Sequence, residues 1–257
     1  MSKNERRRFL EKMALASGAV LLGGCDRLAE SESFKALLAK ADAPTDAAMH
    51  ALTPENALAT EFTEADISPV FKANGSTNPQ TPEYLEMVAN NFANYRLRVS
   101  GLVKTPLELT LDQLRAMPSR TQITRHDCVE GWSCIGKWKG VQLSHVLNQV
   151  QLKPNARYLV FTCADELEKT LDGTGRYYES HDLINSFHPQ TILAYDMNGA
   201  PLTVPHGAPL RLRVERQLGY KMAKYVMKIE AVESFESYGR GRGGFWPDRG
   251  YDWYAGI

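Results

Sequence analysis

Several short stretches of the chain alternate apolar and polar residues, and a period of two is typical of strands with one buried face. In residues 95–100, for example, three apolar side chains fall on one face and three polar side chains on the other. The strands predicted in this way are residues 95–100, 157–161, 210–215 and 225–232. Residues 191–197 and 201–204 flank Asn198-Gly199, and this dipeptide between apolar runs predicts a tight hairpin turn.

Helix signals are fewer and shorter. Thr110 and Gln113 form a capping box, and Pro118 ends the helix between them. Ser180 is the predicted cap of a short helix that runs to Phe187, and residues 32–41 predict one more helix near the N-terminus. Strands dominate and do not alternate with long helices, which excludes a doubly wound sheet. The pattern predicts a mixed α+β fold that is β-rich and largely antiparallel.

The N-terminus predicts an export signal. Arg6-Arg7 followed by Phe9-Leu10 has the twin-arginine pattern, and the apolar run of residues 13–22 is too short to span a bilayer. The alternative is an Arg-rich helix start. We expect residues 1–24 to be a twin-arginine signal peptide, which places the protein in the periplasm.

The signal ends in Leu22-Gly23-Gly24-Cys25, which resembles a bacterial lipobox. We therefore expect a lipid anchor at Cys25 that holds the protein at the inner membrane, with ordinary cleavage after small residues as the alternative. Residues 25–60, rich in Ala, Glu and Lys, predict a tether. Residues 61–257 predict one globular domain.

The composition narrows the classes of function. The chain has 30 Lys plus Arg and 30 Asp plus Glu, so its net charge of zero gives no electrostatic signature of a nucleic-acid partner. Beyond Cys25 it has three cysteines, and their spacing gives no covalent haem motif and no zinc or iron–sulfur pattern.

Cys128 is the most informative of these cysteines. It lies in the charged and aromatic run of residues 125–133, where a buried apolar thiol is not expected. Arg125 and His126 precede it and would favour the thiolate, which is the form that binds metals and acts as a nucleophile. The run alone leaves ligand and nucleophile as alternatives.

A second group of candidate residues, all cations or histidine, lies around two glycine-bearing loops and predicts a site that binds phosphate. Arg offers a planar fork of donors, Lys a point charge, and exposed backbone N–H groups add further donors. The alternative is the solvated face of a sheet, and no ATP or dinucleotide fingerprint is present. The residues of this set are His206, Arg211, Lys221 and Lys224.

Together these segments resemble the sulfite-oxidase fold family of molybdopterin-dependent oxidoreductases. The resemblance covers residues 62–257 and rests on Cys128-Val129-Glu130-Gly131-Trp132-Ser133, residues 193–199, the stretch from His206 to Arg211, and Lys224. It implies the family's fold and two-electron oxygen-atom transfer on a small oxo-substrate. It also implies a Mo-molybdopterin cofactor with no haem in the chain.

The resemblance assigns roles to individual residues. Cys128 resembles the single protein ligand of molybdenum, and a soft thiolate suits that role. His206, Arg211 and Lys224 match the positions that bind the pterin phosphate. Cys163 aligns with a position that contacts the cofactor, and Asn74 resembles an Asn that contacts the pterin.

The substrate stays open at this level. Ala73 stands where sulfite oxidases carry a sulfite-binding arginine, whereas His206 is sulfite-oxidase-like. Sulfite-type oxidation is slightly favoured, with reduction of an S-oxide of the methionine-sulfoxide type as the alternative. Arg125, together with Lys72 and Arg176, is expected to attract an anionic substrate. Tyr177 or Tyr178 is expected to hydrogen-bond its oxo group. The alternative is that these cations are ordinary surface charges and these tyrosines packed aromatic residues.

The partner expected for electron transfer is a separate cytochrome or a membrane haem protein. Two other classes remain as alternatives. One is a cofactor-free envelope lipoprotein. The other is a hydrolase with Cys128 as nucleophile and His126 or His206 as base, although no hydrolase pattern surrounds Cys128.

Overall fold

Two five-stranded sheets form the framework of the part of the chain that the structure, a computed structural model, describes. That part comprises Ser31, Ser33, Pro54 and residues 57–257. The predicted signal peptide, Cys25 and nearly all of the predicted helix at residues 32–41 lie outside it. No helix within the described part has the length and apolar character needed to cross a membrane.

The strands follow one another along the chain with only short helices between them. Their bounds are β1 (Leu97–Gly101), β2 (Leu107–Leu109), β3 (Ser119–Asp127), β4 (Ser133–Gln142), β5 (Tyr158–Glu166), β6 (Arg176–Asp182), β7 (Ile192–Met197), β8 (Ala200–Pro201), β9 (Arg211–Arg213) and β10 (Val226–Val232).

One sheet has the order β2-β1-β10-β5-β6, and its only parallel pair among the described strands is β1 with β10. The other has the order β3-β4-β7-β8, with β9 also paired to β7, and is antiparallel throughout. The four strands predicted from alternation are confirmed as β1, β5, β9 and β10. The predicted α+β, largely antiparallel fold is confirmed as well.

The described α-helices are short: α1 (Pro82–Ala89), α2 (Leu111–Ala116), α3 (Leu143–Val150) and α4 (Leu183–Phe187). The capping box of α2 is confirmed, because the Gln113 N–H donates to Thr110 Oγ1 at 3.0 Å and the Thr110 N–H donates back to Gln113 Oε1 at 2.8 Å. The predicted cap of α4 is wrong. Ser180 lies inside β6, and Asp182 caps the helix by accepting from the Asn185 N–H at 2.6 Å.

The hairpin predicted at Asn198-Gly199 is confirmed between β7 and β8. Both turn residues have positive φ angles, 52° and 84°, as a tight hairpin of this type requires. Its second strand is only two residues long. A short 3₁₀ helix, Val204–His206, follows in place of the predicted strand end.

β9 differs from the pattern of a half-exposed strand, because both of its faces are buried. Arg211 and Arg213 are fully buried, as is the intervening Leu212. The alternative of a solvated basic face is therefore wrong for these two arginines. Burying two guanidinium groups is costly unless each is paired or hydrogen-bonded.

Candidate active site

A cleft opens between loops of the two sheets. The turn after β3 contributes Cys128, while β5 and β6 of the other sheet contribute Asp165 and Tyr177. Loops contribute the rest of the wall. The complete lining is Asn74, Gly75, Ser76, Cys128, Val129, Glu130, Asp165, Leu167, Tyr177, Gly219, Tyr220, Met222, Lys224, Trp246 and Tyr251.

Cys128 sits in a tight turn that directly follows β3. Its N–H donates to the Trp132 carbonyl at 2.9 Å, and its own carbonyl accepts from the Gly131 N–H at 3.0 Å. The thiol is half-buried, and this burial raises its pKa above the ordinary value. The cleft therefore holds Cys128 as a thiol that a soft metal would deprotonate, and not as an activated nucleophile.

The two residues before Cys128 do not have the effect expected from the sequence. Arg125 is exposed and paired with Asp127 at 2.8 Å, and it lines a different groove. His126 is fully buried and accepts at Nδ1 from Arg213 Nη1 at 3.0 Å. Burial, and then the charges of Arg213, Arg211 and Lys224, hold the His126 pKa well below its ordinary value. His126 is thus neutral, with its remaining proton on Nε2.

Arg213 and Arg211 differ in how their charges are satisfied. Arg213 pairs with the buried Glu215, with Nη2 and Oε2 2.6 Å apart. Arg211 donates from Nη1 to the His206 carbonyl at 3.0 Å and lies over the Trp138 ring at 4.8 Å. Its Nε and Nη2 atoms have no hydrogen-bond partner among the described residues. Burial and the nearby Arg213 lower the pKa of Arg211 to about 9.

An unneutralised, buried guanidinium with two unused donors is an unusual feature, since buried charges are normally paired. His206 adds a third unsatisfied atom, Nδ1. Its 3₁₀ helix ends at Gly207, whose φ of 101° lets the chain turn toward β9. A phosphate group would supply the missing charge and acceptors.

Lys224 joins two loops of this region. Its Nζ donates to the carbonyls of Asn74 at 2.6 Å and Pro205 at 2.9 Å, and also to that of Ser76. Burial and the Arg211 charge lower the pKa of Lys224 to about 7. Asn74, whose backbone Lys224 holds, lines the cleft with an unpartnered side-chain Oδ1.

Three of the predicted residues have other surroundings. Lys221 is buried and paired with Glu179, so its ammonium is directed away from the cleft that its neighbours line. Cys163 is fully buried in the core, within β5. Tyr177 does line the cleft, but its hydroxyl donates to the Tyr220 carbonyl and is not available to donate to a substrate.

The lining also contains residues that the sequence did not reveal. Asp165 is 3% exposed and sits in the cleft wall, where no motif marks it. Trp246 and Tyr251 come from the C-terminal segment that follows β10. Leu167, Val129 and Met222 complete an apolar and aromatic mouth.

Comparison with known proteins now identifies the family. The family described as oxidoreductase molybdopterin-binding domain matches residues 84–239, which is more than half of the chain. The chain belongs to the molybdopterin-binding oxidoreductases. Membership confirms the predicted enzyme class, fold family and molybdopterin cofactor, and it sets aside the cofactor-free lipoprotein and the cysteine hydrolase.

Three similar proteins are named as subunits of protein-methionine-sulfoxide reductases. One, provisionally named protein-methionine-sulfoxide reductase subunit YedZ1, from Azospira oryzae, is 36% identical over 98% of this chain and 87% of its own length. The protein-methionine-sulfoxide reductase catalytic subunit MsrP of Ralstonia nicotianae is 31% identical over 90% of this chain and 69% of its own length. MsrP of Campylobacter jejuni is 30% identical over 62% of this chain and 58% of its own length.

Among solved structures, the sulfane dehydrogenase SoxCD of Paracoccus pantotrophus matches with a TM-score of 0.50 and 25% identity. The match covers 56% of this chain and 40% of that one. Cys128 and Asn74 in the cleft, together with the buried Arg211 and with His206, both outside its lining, fit the family's cofactor on their own chemistry. Cys128 offers a thiol to a soft metal, and the unpaired donors of Arg211 suit the pterin phosphate.

Proposed function

We propose that the protein reduces a neutral organic S-oxide, of the methionine-sulfoxide type, by two-electron oxygen-atom transfer. The observation that carries this is the charge of the cleft. Lys224 is the only cation in the lining of the described cleft, and its ammonium is occupied by three carbonyls. Glu130, a carboxylate, stands beside Cys128 in the same lining.

Lys72, just outside this lining, is already paired with Glu130, with Nζ and Oε2 3.6 Å apart, so an anionic substrate such as sulfite would find no unpaired cation beside Cys128. A thioether S-oxide carries no net charge, and its apolar arms suit contact with Trp246, Tyr251 and Leu167. The names of the relatives support the same choice. The slight preference for sulfite oxidation drawn from His206 gains no support from either source.

The molybdenum–pterin group would supply the redox and oxygen-transfer chemistry. Of this chain's residues, Cys128 would hold the metal through its thiolate. Arg211 and His206 would bind the phosphate of the pterin. Asn74 would contact the pterin from a loop whose position Lys224 fixes, and the aromatic mouth would exclude water from the bound S-oxide.

We also propose that electrons arrive from a separate haem protein and that the enzyme works in the periplasm. The relatives' names, which call them subunits, support a partner. The Arg6-Arg7 pattern supports export of the folded, cofactor-loaded protein. A lipid anchor at Cys25 would keep the enzyme close to a donor in the membrane.

The test is a pair of assays on the purified holoenzyme. In the first assay a reduced viologen dye is the electron donor, and adding methionine sulfoxide should cause the dye to be oxidised. In the second assay ferricyanide is the electron acceptor, and turnover of sulfite should be far slower than turnover of the sulfoxide in the first. Cys128→Ser should abolish the first reaction, and Cys134→Ser, at a buried thiol outside the cleft, should retain it. Fast sulfite oxidation without sulfoxide reduction would contradict the proposal.

A further inference from the structure

Asp165 lies where the strand pairing is irregular in the sheet with the order β2-β1-β10-β5-β6. The pairing of β5 with β6 is regular from Tyr158 to Thr162 and then shifts before Glu166. The pairing of β5 with β10 shifts at the same level, near Cys163. Bulges of this kind redirect a side chain, and they are common beside active sites.

The bulge places the Asp165 carboxyl in the wall of the cleft that also contains Cys128. The residue is 3% exposed, and its Oδ1 atom has no hydrogen-bond partner among the described residues. No cation of the described chain lies within 4.0 Å of it as an ion-pair partner. A buried carboxyl without an ion-pair partner favours its neutral, protonated form.

The groups that face Asp165 come from every neighbouring element. Lys224 donates to three carbonyls, and Arg176 of β6 lies 4.0 Å from Glu83, so both cations have other contacts. Burial raises the pKa of Asp165 to about 7, while Lys224 and Arg176 oppose this rise. The remaining titratable neighbours are Tyr84 of α1, Cys163 of β5, Tyr177 of β6, and Tyr225 at the start of β10.

We propose that Asp165 is the proton donor of the cleft and delivers its proton, directly or through one water, to the oxygen atom that leaves the substrate. This rests on the proposed S-oxide reduction. In that reaction the S–O bond breaks, the sulfur becomes a thioether, and the oxygen leaves as water. Two electrons come from the haem donor or a reduced viologen dye. One proton comes from Asp165, which regains it from solvent, and the second comes from solvent.

The experiment compares holoenzyme variants at matched molybdenum and pterin content. Asp165→Asn keeps the shape of the side chain but has no proton to release. Asp165→Glu restores the acid, and Glu166→Gln, at an exposed acid of the same strand, is the matched control. With reduced viologen and methionine sulfoxide, the wild-type kcat should fall as the pH rises through about 7, since the acid form is the active one.

Asp165→Asn should lower kcat by about 100-fold or more, with a smaller change in KM. The fall of kcat as the pH rises through about 7 should also disappear in this variant. In Asp165→Glu, kcat should again fall with rising pH. In Glu166→Gln, kcat and its pH dependence should match those of the wild type. If kcat still falls through about pH 7 in Asp165→Asn, the titrating group is another one, such as Lys224 or Glu179, and the proposal is overturned. An unchanged kcat would overturn it as well.

A spectroscopic readout separates this proposal from the proposed function. Infrared difference spectra between pH 6 and 8 should contain a protonated-carboxyl band that Asp165→Asn loses and Glu166→Gln keeps. If the wild type shows this band but reduces no sulfoxide, the proposed function fails and the proton on Asp165 stands. If sulfoxide reduction is fast and no band is lost, the proton-donor proposal fails alone.

Discussion

Arg211 and Arg213 lie two residues apart on one buried strand, yet only Arg213 has its charge neutralised, by Glu215. The chain therefore carries the free-energy penalty of burying the Arg211 charge without a protein counter-ion. Such a penalty is retained where a ligand removes it on binding. The unsatisfied donors of Arg211 thus mark the position where we expect the phosphate of the pterin.

We predict that Arg211→Met raises the stability of the cofactor-free protein and weakens binding of the cofactor. For protein made in a host that cannot synthesise the cofactor, the free energy of unfolding of Arg211→Met should exceed that of the wild type by roughly 1 kcal/mol. The reason is that an apolar side chain of similar length replaces a buried unpaired charge. Protein made in a competent host should contain far less molybdenum and pterin. Thermal unfolding and elemental analysis check the two halves. A variant that loses stability and keeps its cofactor would show that Arg211 is structural.

At the level of single residues, the sequence predicted Cys128, Arg211, His206 and Asn74 as site residues, because each lies in a segment that resembles a motif of the family. It misplaced Arg125, since alternation along β3 tells which face a side chain takes but not which groove that face borders. Asp165 could not be predicted. Its role depends on a bulge and on burial by distant segments, and neither leaves a local pattern.

Among the larger elements, the loop that contains Asn74 is held by two side chains from just before β10. Lys224 binds the carbonyls of residues 74 and 76 and ties them to that of Pro205, and the Tyr225 hydroxyl also donates to the Ser76 carbonyl at 2.9 Å. Hydrogen bonds to a charged donor contribute about 1.5–3 kcal/mol each. We expect this contact to keep the cleft preformed.

Lys224→Met should therefore increase the opening of the Asn74 loop. Hydrogen exchange of the amides of residues 72–78 should become about tenfold faster or more, which corresponds to the loss of one such bond. Lys228→Met, at a more exposed lysine of β10 paired with Glu230, is the matched control and should change nothing there. Exchange measured by mass spectrometry decides this. Equal protection in both variants would show that other contacts hold the loop.

Local chemistry was enough to predict the capping box of α2 and the Asn198-Gly199 hairpin, because both depend on residues close together in sequence. The cap of α4 was misassigned, since Ser180 lies in β6 and donates its hydroxyl to the distant Gly243 carbonyl. The strand predicted to reach Val204 ends early and gives way to a 3₁₀ helix that contains Pro205. Tertiary contacts decided both cases.

For the whole molecule, the predicted N-terminal signal would link insertion of the cofactor to export of the folded protein. The twin-arginine route carries folded proteins, which suits a cofactor inserted in the cytoplasm. Arg6→Lys together with Arg7→Lys should leave the cofactor-loaded protein in the cytoplasm, although the charge is conserved. Cell fractionation with molybdenum analysis checks this, and Cys25→Ser is the control that should still be exported but should leave the membrane fraction. Normal export of the double-lysine variant would contradict the predicted signal.

The central claim is that Cys128 is the protein ligand of a molybdenum–pterin centre. X-ray absorption at the molybdenum edge of the holoenzyme counts the sulfur atoms around the metal, and it can be compared between the wild type, Cys128→Ser and Cys134→Ser. The account predicts one sulfur neighbour fewer in Cys128→Ser and no change in Cys134→Ser. An unchanged sulfur count in Cys128→Ser, at full molybdenum content, would contradict it.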